Sequence, residues 1–446
     1  MNREGMKNVY FLGIGGIGMS ALARYYQSLG IMVSGYDLTP SPLTKQLEDE
    51  GMAIHYEDRP ELLPALIDKV VYTPAVPSDL NEFIEIRRRN LPLQKRAEAL
   101  GEISKNHFTI AVAGTHGKTT TTAMVAHILH TCGRDTTAFI GGIANNFNSN
   151  LLLGSGLKST LVAEADEFDR SFLHLAPNIS IINAIDADHL DIYGDKKHLA
   201  DSFNDFAQLT ERTVIVKEGL DIKAPSIVRF GFGESCHFRA AIIKSEQGIT
   251  DFTITHHGMA TSVKLPMAGN HNVLNATAAF AAALQIGLPT DEIADALTSF
   301  QGVKRRFDVQ IRNEKYIYID DYAHHPEEIK SCLSAIRASF PSKRITLVFQ
   351  PHLFTRTRDF MEGFAESLAM ADNLILLDIY PAREKPIEGV TSQALLEKVN
   401  LTNKSLCPKE HLLEVIAERK PELLVTMGAG NIDRFVEPLK TMISQW

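Results

Sequence analysis

Seven consecutive residues, Gly114, Thr115, His116, Gly117, Lys118, Thr119 and Thr120, carry the most legible chemistry in the chain. An apolar run over residues 108–113 leads in, and a helical pattern follows. Glycines let backbone wrap closely around an anion, and a helix that starts there points free N–H groups and a partial positive charge at it. Lys118 adds a mobile full charge, and the Thr119 hydroxyl suits a Mg²⁺ ion beside a triphosphate. The spacing departs from the standard phosphate loop, because Val112 stands where the first glycine belongs. Four threonines in a row, Thr119 to Thr122, are poor helix formers and speak against a mere solvated turn. ATP or GTP binding is the expectation.

Three further constellations are chemical in type. Gly13, Gly15, Gly16 and Gly18 form a glycine turn after an apolar run, with Asp37 about 20 residues on. Taken alone, this fingerprint predicts a nicotinamide-dependent oxidoreductase; strictly it says only that a pyrophosphate can sit at a helix N-terminus. Glu164 and His189 end two apolar runs in the middle of the chain. A carboxylate and a neutral imidazole suit Mg²⁺, and ligands bind beyond the carboxyl ends of parallel strands. Lys118, Thr119, Glu164 and His189 are therefore expected in one crevice. Asn272 and Asn275 share a helix face, where carboxamides can pair with a base edge; Asn272 also suits helix capping.

These residues need elements to hold them. Runs at residues 7–12, 32–36, 69–72, 108–113, 179–185, 316–319, 345–349, 374–379 and 423–427 read as strands, most of them buried and parallel. Met124, Val125, Ile128 and Leu129 suggest one apolar face on the helix after the phosphate loop. Four strand ends in the last third carry polar loops and predict a binding face whose histidines and arginines can grip a carboxylate. The pattern predicts an α/β protein of three domains: residues 1–100, Rossmann-like; 101–303, a P-loop unit; 304–446, again Rossmann-like. A formal charge of −9 argues against a general nucleic-acid or membrane-surface binder. The four cysteines lie far apart, which suits a reducing cytoplasm rather than a zinc site or a disulfide framework. No apolar run is long enough to span a bilayer. Together, one pyrophosphate site, one Mg²⁺-nucleotide site and one carboxylate grip suit an enzyme that activates a nucleotide-linked acid by phosphorylation and joins it to a small amine.

Nine stretches in order carry a resemblance: residues 13–20 (GIGGIGMS), 114–120 (GTHGKTT), 164–172 (EADEFDRSF), 188–194 (DHLDIYG), 269–276 (GNHNVLNA), 302–307 (GVKRRF), 320–326 (DDYAHHP), 349–357 (FQPHLFTRT) and 428–431 (GAGN). Through them the chain resembles the Mur ligases of peptidoglycan synthesis over essentially its whole length, and within them the alanine-adding branch. The resemblance implies ATP-dependent joining of L-alanine to the carboxylate of UDP-N-acetylmuramate through an acyl phosphate. It puts UDP, rather than NAD, at the first glycine turn, with Gly13, Gly15, Gly16, Gly18, Met19, Asp37 and Thr73 around it. It gives Lys118 the β/γ-phosphates, Thr119 and Glu164 a first Mg²⁺, and His189 a second. It places Asn272 and Asn275 at the adenine and Arg306 on phosphate charge. His324, His352 and Arg356 orient the alanine and the lactyl carboxylate. Two features stand out: Leu353 follows His352 where some members carry arginine, and residues 201–208 offer no lysine for carbamylation, as in the alanine-adding branch. The recycling branch, which attaches a tripeptide instead, is the nearest alternative.

Overall fold

The computed structural model describes residues 5–156, 158–186, 196–382 and 384–446, so His189 lies outside the described residues. The chain forms three α/β sheets, packed as two compact units. The first unit holds the first sheet and most of the second and takes in residues 1–240, 254–261 and 275–297; the second holds the third sheet and residues 241–253, 262–274 and 298–446.

The first sheet has five parallel strands, in the order Ala53–His55, Met32–Tyr36, Asn8–Leu12, Lys69–Tyr72, Leu93–Lys95. Strand order reverses on either side of Asn8–Leu12. The crevice at such a switch point opens beyond the carboxyl ends of Asn8–Leu12 and Lys69–Tyr72. Helix Ile17–Ser28 covers one face of this sheet and also packs on strands Thr136–Ala144 and Ser149–Leu152 of the second sheet. Tyr25 meets Phe139 at 5.5 Å between ring centroids. Asn150, fully buried, donates to Ile17 O (2.6 Å) and Ser20 Oγ (2.9 Å) and accepts from Arg24 (2.7 Å). One apolar core therefore runs through both sheets. Asn150→Ala leaves three polar groups without this partner and should cost about 2–3 kcal/mol, read from the urea midpoint at unchanged slope.

The other face of the first sheet buries a polar cluster. Tyr10 donates to Glu82 Oε2 at 2.5 Å, and the Tyr10 hydroxyl lies 2.8 Å from His55 Nε2. Glu82 is fully buried, and burial pushes its carboxyl up to about 7 despite the Tyr10 and Arg59 N–H bonds. A carboxyl raised in this way holds its proton in the fold at pH values where the unfolded chain has lost it. Its contribution is full below the ordinary value of 4.5 and is lost as pH rises through about 7. Glu82→Gln cannot titrate. Between pH 4.5 and 8 the stability of the variant should therefore gain about 3 kcal/mol relative to that of the parent, whatever the absolute offset, measured by denaturant unfolding at both pH values.

In the second sheet of the first unit, parallel strands run in the order Ile227–Gly231, Thr213–Lys217, Ile179–Ile182, Thr109–Ala113, Thr160–Glu164, Thr136–Ala144. Thr109–Ala113 is buried at every residue. Helix Lys118–Thr131 follows it and is buried all round from Thr119 to Leu129, not along one face as the 124–129 pattern suggests. That explains its threonines: small side chains let a helix pass between layers, and the Thr121 hydroxyl accepts from Asn183 at 2.9 Å. The boundary expected between residues 100 and 101 falls inside helix Arg96–Ser104, with Ala97, Ala99, Leu100, Gly101 and Ile103 buried.

The third sheet, in the second unit, has six strands, in the order Asp308–Arg312, Ile317–Asp321, Leu423–Met427, Ile345–Phe349, Asn373–Leu376, Lys404–Leu406. All are parallel except the edge strand Asp308–Arg312. The four polar strand ends thus emerge on one side of one sheet, as expected. Apolar clusters cover both faces. Among the described residues no helix is long and apolar enough to cross a membrane, and the four cysteines are unpaired.

Candidate functional site

The phosphate loop is the turn between strand Thr109–Ala113 and helix Lys118–Thr131. Gly114 has φ +131°, and a Cβ there would sit 2.8 Å from Ala184 N. Gly117 caps the helix at φ +79°, where a Cβ would meet Asn275 Oδ1 at 2.5 Å. Thr115 ties the turn to the neighbouring strand end, its N–H donating to Ala184 O and its hydroxyl accepting from Asp186 N–H, both at 3.0 Å. His116 Nε2 lies 3.5 Å from the Asp186 carboxylate. The turn has the shape of an anion cradle, with the first-turn N–H groups of a helix behind it.

Charge is concentrated at Lys118. Its ammonium donates to both Glu167 oxygens and to Gly114 O, each at 2.8 Å. Burial works against this ammonium, but Glu167, Asp166 and Glu164 outweigh it and raise its pKa. Burial also raises the carboxyl of Glu167, which Lys118 pulls back down. Glu164 faces Val112 in the strand register, and its carboxylate accepts Gly141 N–H at 3.0 Å. Thr119 and Thr120 are buried in the first helical turn. The oxygens of Thr119 and Glu164 are the hard donors that Mg²⁺ prefers, so the residues present suit that ion. Among the described residues no group of three His, Cys, Asp or Glu side chains is close enough to hold a metal, and His189 is outside them.

At the first sheet's switch point the second glycine turn is equally tight. Gly15 N–H donates to Asp37 Oδ2 at 2.7 Å. A Cβ on Gly13 would meet Thr73 at 2.9 Å, and one on Gly18 would meet Arg96 at 3.0 Å. Gly16 caps helix Ile17–Ser28, inside which Met19 is buried. Gly13, Gly15, Gly16, Gly18, Asp37 and Thr73 thus gather around one turn. Asp37 spends one oxygen on the turn itself. Arg96 also reaches Asp166 at 3.2 Å, and Lys95 reaches Asp169 at 3.0 Å. Asp169 and Arg170 both adopt left-handed φ (+52° and +53°), an uncommon pair for residues with side chains.

In the second unit, His324, His352 and Arg356 come together. The rings of His324 and His352 lie 6.2 Å apart, and Arg356 reaches His352 Nδ1 at 3.4 Å. His352 stacks on Tyr380. His324 Nδ1 donates to Tyr322 O at 2.9 Å, which leaves Nε2 as the acceptor, and burial lowers its pKa to about 4. Arg306 lies over the Tyr322 ring at 4.9 Å. Leu353 takes φ +70°, a strained geometry at the start of the helix that carries Arg356. Asn272 donates its amide to Ala268 O at 2.8 Å, a local bond to the backbone carbonyl four residues back, whereas Asn275 lies against Gly117.

The sequence reading passed over Glu167, Asn183, Arg96 and Tyr380. Glu167 had a visible signal, as the third acidic residue in the short run Glu164, Asp166, Glu167 at a strand end; Asn183 and Arg96 had none without the register.

A phosphate loop in one chain with two further, mainly parallel α/β sheets suits an enzyme that uses ATP better than a dehydrogenase, which would leave that loop idle. Comparison with known proteins agrees. Residues 8–108 match the "Mur ligase family, catalytic domain", residues 112–283 the "Mur ligase middle domain" and residues 305–430 the "Mur ligase, glutamate ligase domain". The chain belongs to the Mur ligase family. It is 47% identical over its whole length to the UDP-N-acetylmuramate–L-alanine ligase of Cytophaga hutchinsonii (98% of that protein). It is 49% identical to that of Flavobacterium psychrophilum, with 100% of both chains covered. Among solved structures, the UDP-N-acetylmuramate–alanine ligase of Thermotoga maritima superposes with TM-score 0.84 at 29% identity, covering 98% of this chain and 99% of that one. A murein peptide ligase from Psychrobacter arcticus shares the fold, with TM-score 0.75 at 24% identity and 99% coverage of both.

Proposed function

We propose that this chain joins L-alanine to the lactyl carboxylate of UDP-N-acetylmuramate at the expense of ATP, the first amino-acid addition in peptidoglycan precursor synthesis. The observation that carries the reading is the pairing, in one Mur ligase chain, of a phosphate loop built around Lys118 with a separate His324–His352–Arg356 cluster. Residues 1–100 hold the UDP sugar, residues 101–303 Mg²⁺-ATP and residues 304–446 the amino acid. Lys118 and the N–H groups of the phosphate loop neutralise the β- and γ-phosphates, joined by Arg306. Asn275 buttresses the loop beside the nucleotide, with Asn272 on the same helix. Thr119 and Glu164 would hold one Mg²⁺ and His189 a second, and these ions would supply charge neutralisation for the phosphates and the carboxylate.

The carboxylate oxygen attacks the γ-phosphorus, the bond to ADP breaks, and an acyl phosphate results. The amine of alanine then attacks the carbonyl carbon, phosphate leaves, and the amine gives up a proton. His324, neutral at working pH, offers Nε2 to the ammonium, while Arg356 and His352 hold the carboxylate of alanine. The substrates are small molecules of the cytoplasm, and neither nucleic acid nor membrane is required. Phosphate release from Mg²⁺-ATP, with single amino acids added in turn, tests this. It should require both UDP-N-acetylmuramate and L-alanine; release with a tripeptide but not with alanine would move the chain to the recycling branch.

A further inference from the structure

The Lys118 ammonium has three protons, and all three are engaged inside the protein: two by the Glu167 carboxylate and one by Gly114 O, each at 2.8 Å. Glu167 is fully buried and the Lys118 side chain 13% exposed, so this is an internal ion pair and not a surface contact. Phosphate can be gripped only if at least one of these bonds is released. Lys118 also feels Asp166 and Glu164, so the polyanion arrives where carboxylates already outnumber the ammonium. Breaking a buried pair strands a charge in a dry site, which is the costly way to lose such a pair.

We propose that Glu167 is a positioning residue that latches the phosphate-loop lysine: it holds Lys118 charged and aligned in the nucleotide-free protein and competes with phosphate for it. The inference rests on the ATP reading of this loop. The latch makes two demands of opposite sign on one side chain. It stabilises the empty protein, and it opposes nucleotide. A purely structural glutamate would support both, because nucleotide would then bind to the same well-formed loop.

The test is calorimetric titration of the full chain with ATP in EDTA, where no turnover occurs, together with thermal unfolding of the nucleotide-free protein. Glu167→Gln keeps the shape of the side chain and removes its charge. It should bind metal-free ATP at least tenfold more tightly than the parent while unfolding at a lower temperature when empty. Glu167→Asp keeps the charge on a shorter arm and should fall between the two; it carries the test should Glu167→Gln fail to fold. Equal or weaker ATP binding in the folded variants would overturn the latch. Absence of ATP binding in the parent even when Mg²⁺ replaces EDTA would overturn the nucleotide reading, and the latch with it, so the two failures are distinct.

Discussion

Lys118→Ala should lower the rate of phosphate release by at least about 10³-fold while leaving the affinity for UDP-N-acetylmuramate within about threefold. Phosphoryl transfer asks little covalent chemistry of the protein; the charge spread over the γ-phosphoryl oxygens must be met by fixed positive groups, and Lys118 is the cation in this loop. The variant loses more than a cation. Glu167 stays fully buried without its main counter-charge, beside Glu164 and Asp166. The site then changes from attracting a triphosphate to repelling one, and breaking a buried pair costs about 3–5 kcal/mol of stability. Rate and nucleotide affinity should therefore fall together, with a lower unfolding temperature. The switch-point turn, where Gly13, Gly15, Asp37 and Thr73 meet, belongs to a different sheet and contains no Lys118 contact. Single-turnover phosphate release and a separate titration with the UDP sugar read the two effects apart. Near-normal turnover would remove Lys118 from the phosphate site.

What could be read from the sequence followed period and composition. Buried parallel strands such as Thr109–Ala113 and Ile345–Phe349 are continuous apolar runs, and glycines mark the turns where no side chain fits. His324, His352 and Arg356 sit 32 residues apart from first to last. They meet because parallel register puts the ends of Ile317–Asp321 and Ile345–Phe349 on one side of the sheet, which the alternation of strand and helix foretells. What could not be read depends on third partners. Glu167 becomes the counter-ion of Lys118 only because Thr160–Glu164 lies directly beside Thr109–Ala113. The helix after the phosphate loop reads as one-sided from its large apolar residues, yet its threonines are buried as well. Polarity alone does not reveal hydroxyls that find partners inside. The close packing of helix Ile17–Ser28 on two sheets turns on Asn150, a polar residue that an apolar pattern passes over. His189 and its metal role stay a matter of resemblance, outside the described residues.

Gly117→Ala should reduce ATP affinity at least about 100-fold, and the reason separates into two parts that a second glycine can isolate. Gly117 caps helix Lys118–Thr131 at φ +79°, where a side-chain residue pays roughly 1–2 kcal/mol for the left-handed backbone. Its Cβ would also lie 2.5 Å from Asn275 Oδ1 and 3.1 Å from Asn183 Nδ2. Neither amide can simply swing aside. Asn183 is tied to Thr121 at 2.9 Å, and both asparagines are buried. The turn must shift instead, and the first N–H groups of the helix then point away from where phosphate sits. Gly133 ends the same helical segment at φ +72° with nothing within 4 Å of a Cβ. Gly133→Ala pays the backbone term alone, about 1 kcal/mol of stability, and should bind ATP as the parent does. If both variants bound ATP normally, the loop at 114–120 would not be the nucleotide site. If both lost affinity equally, strain in the helix rather than crowding at the loop would be the cause. Loss confined to Gly117→Ala is the result that the packing of Asn275 and Asn183 against the loop requires.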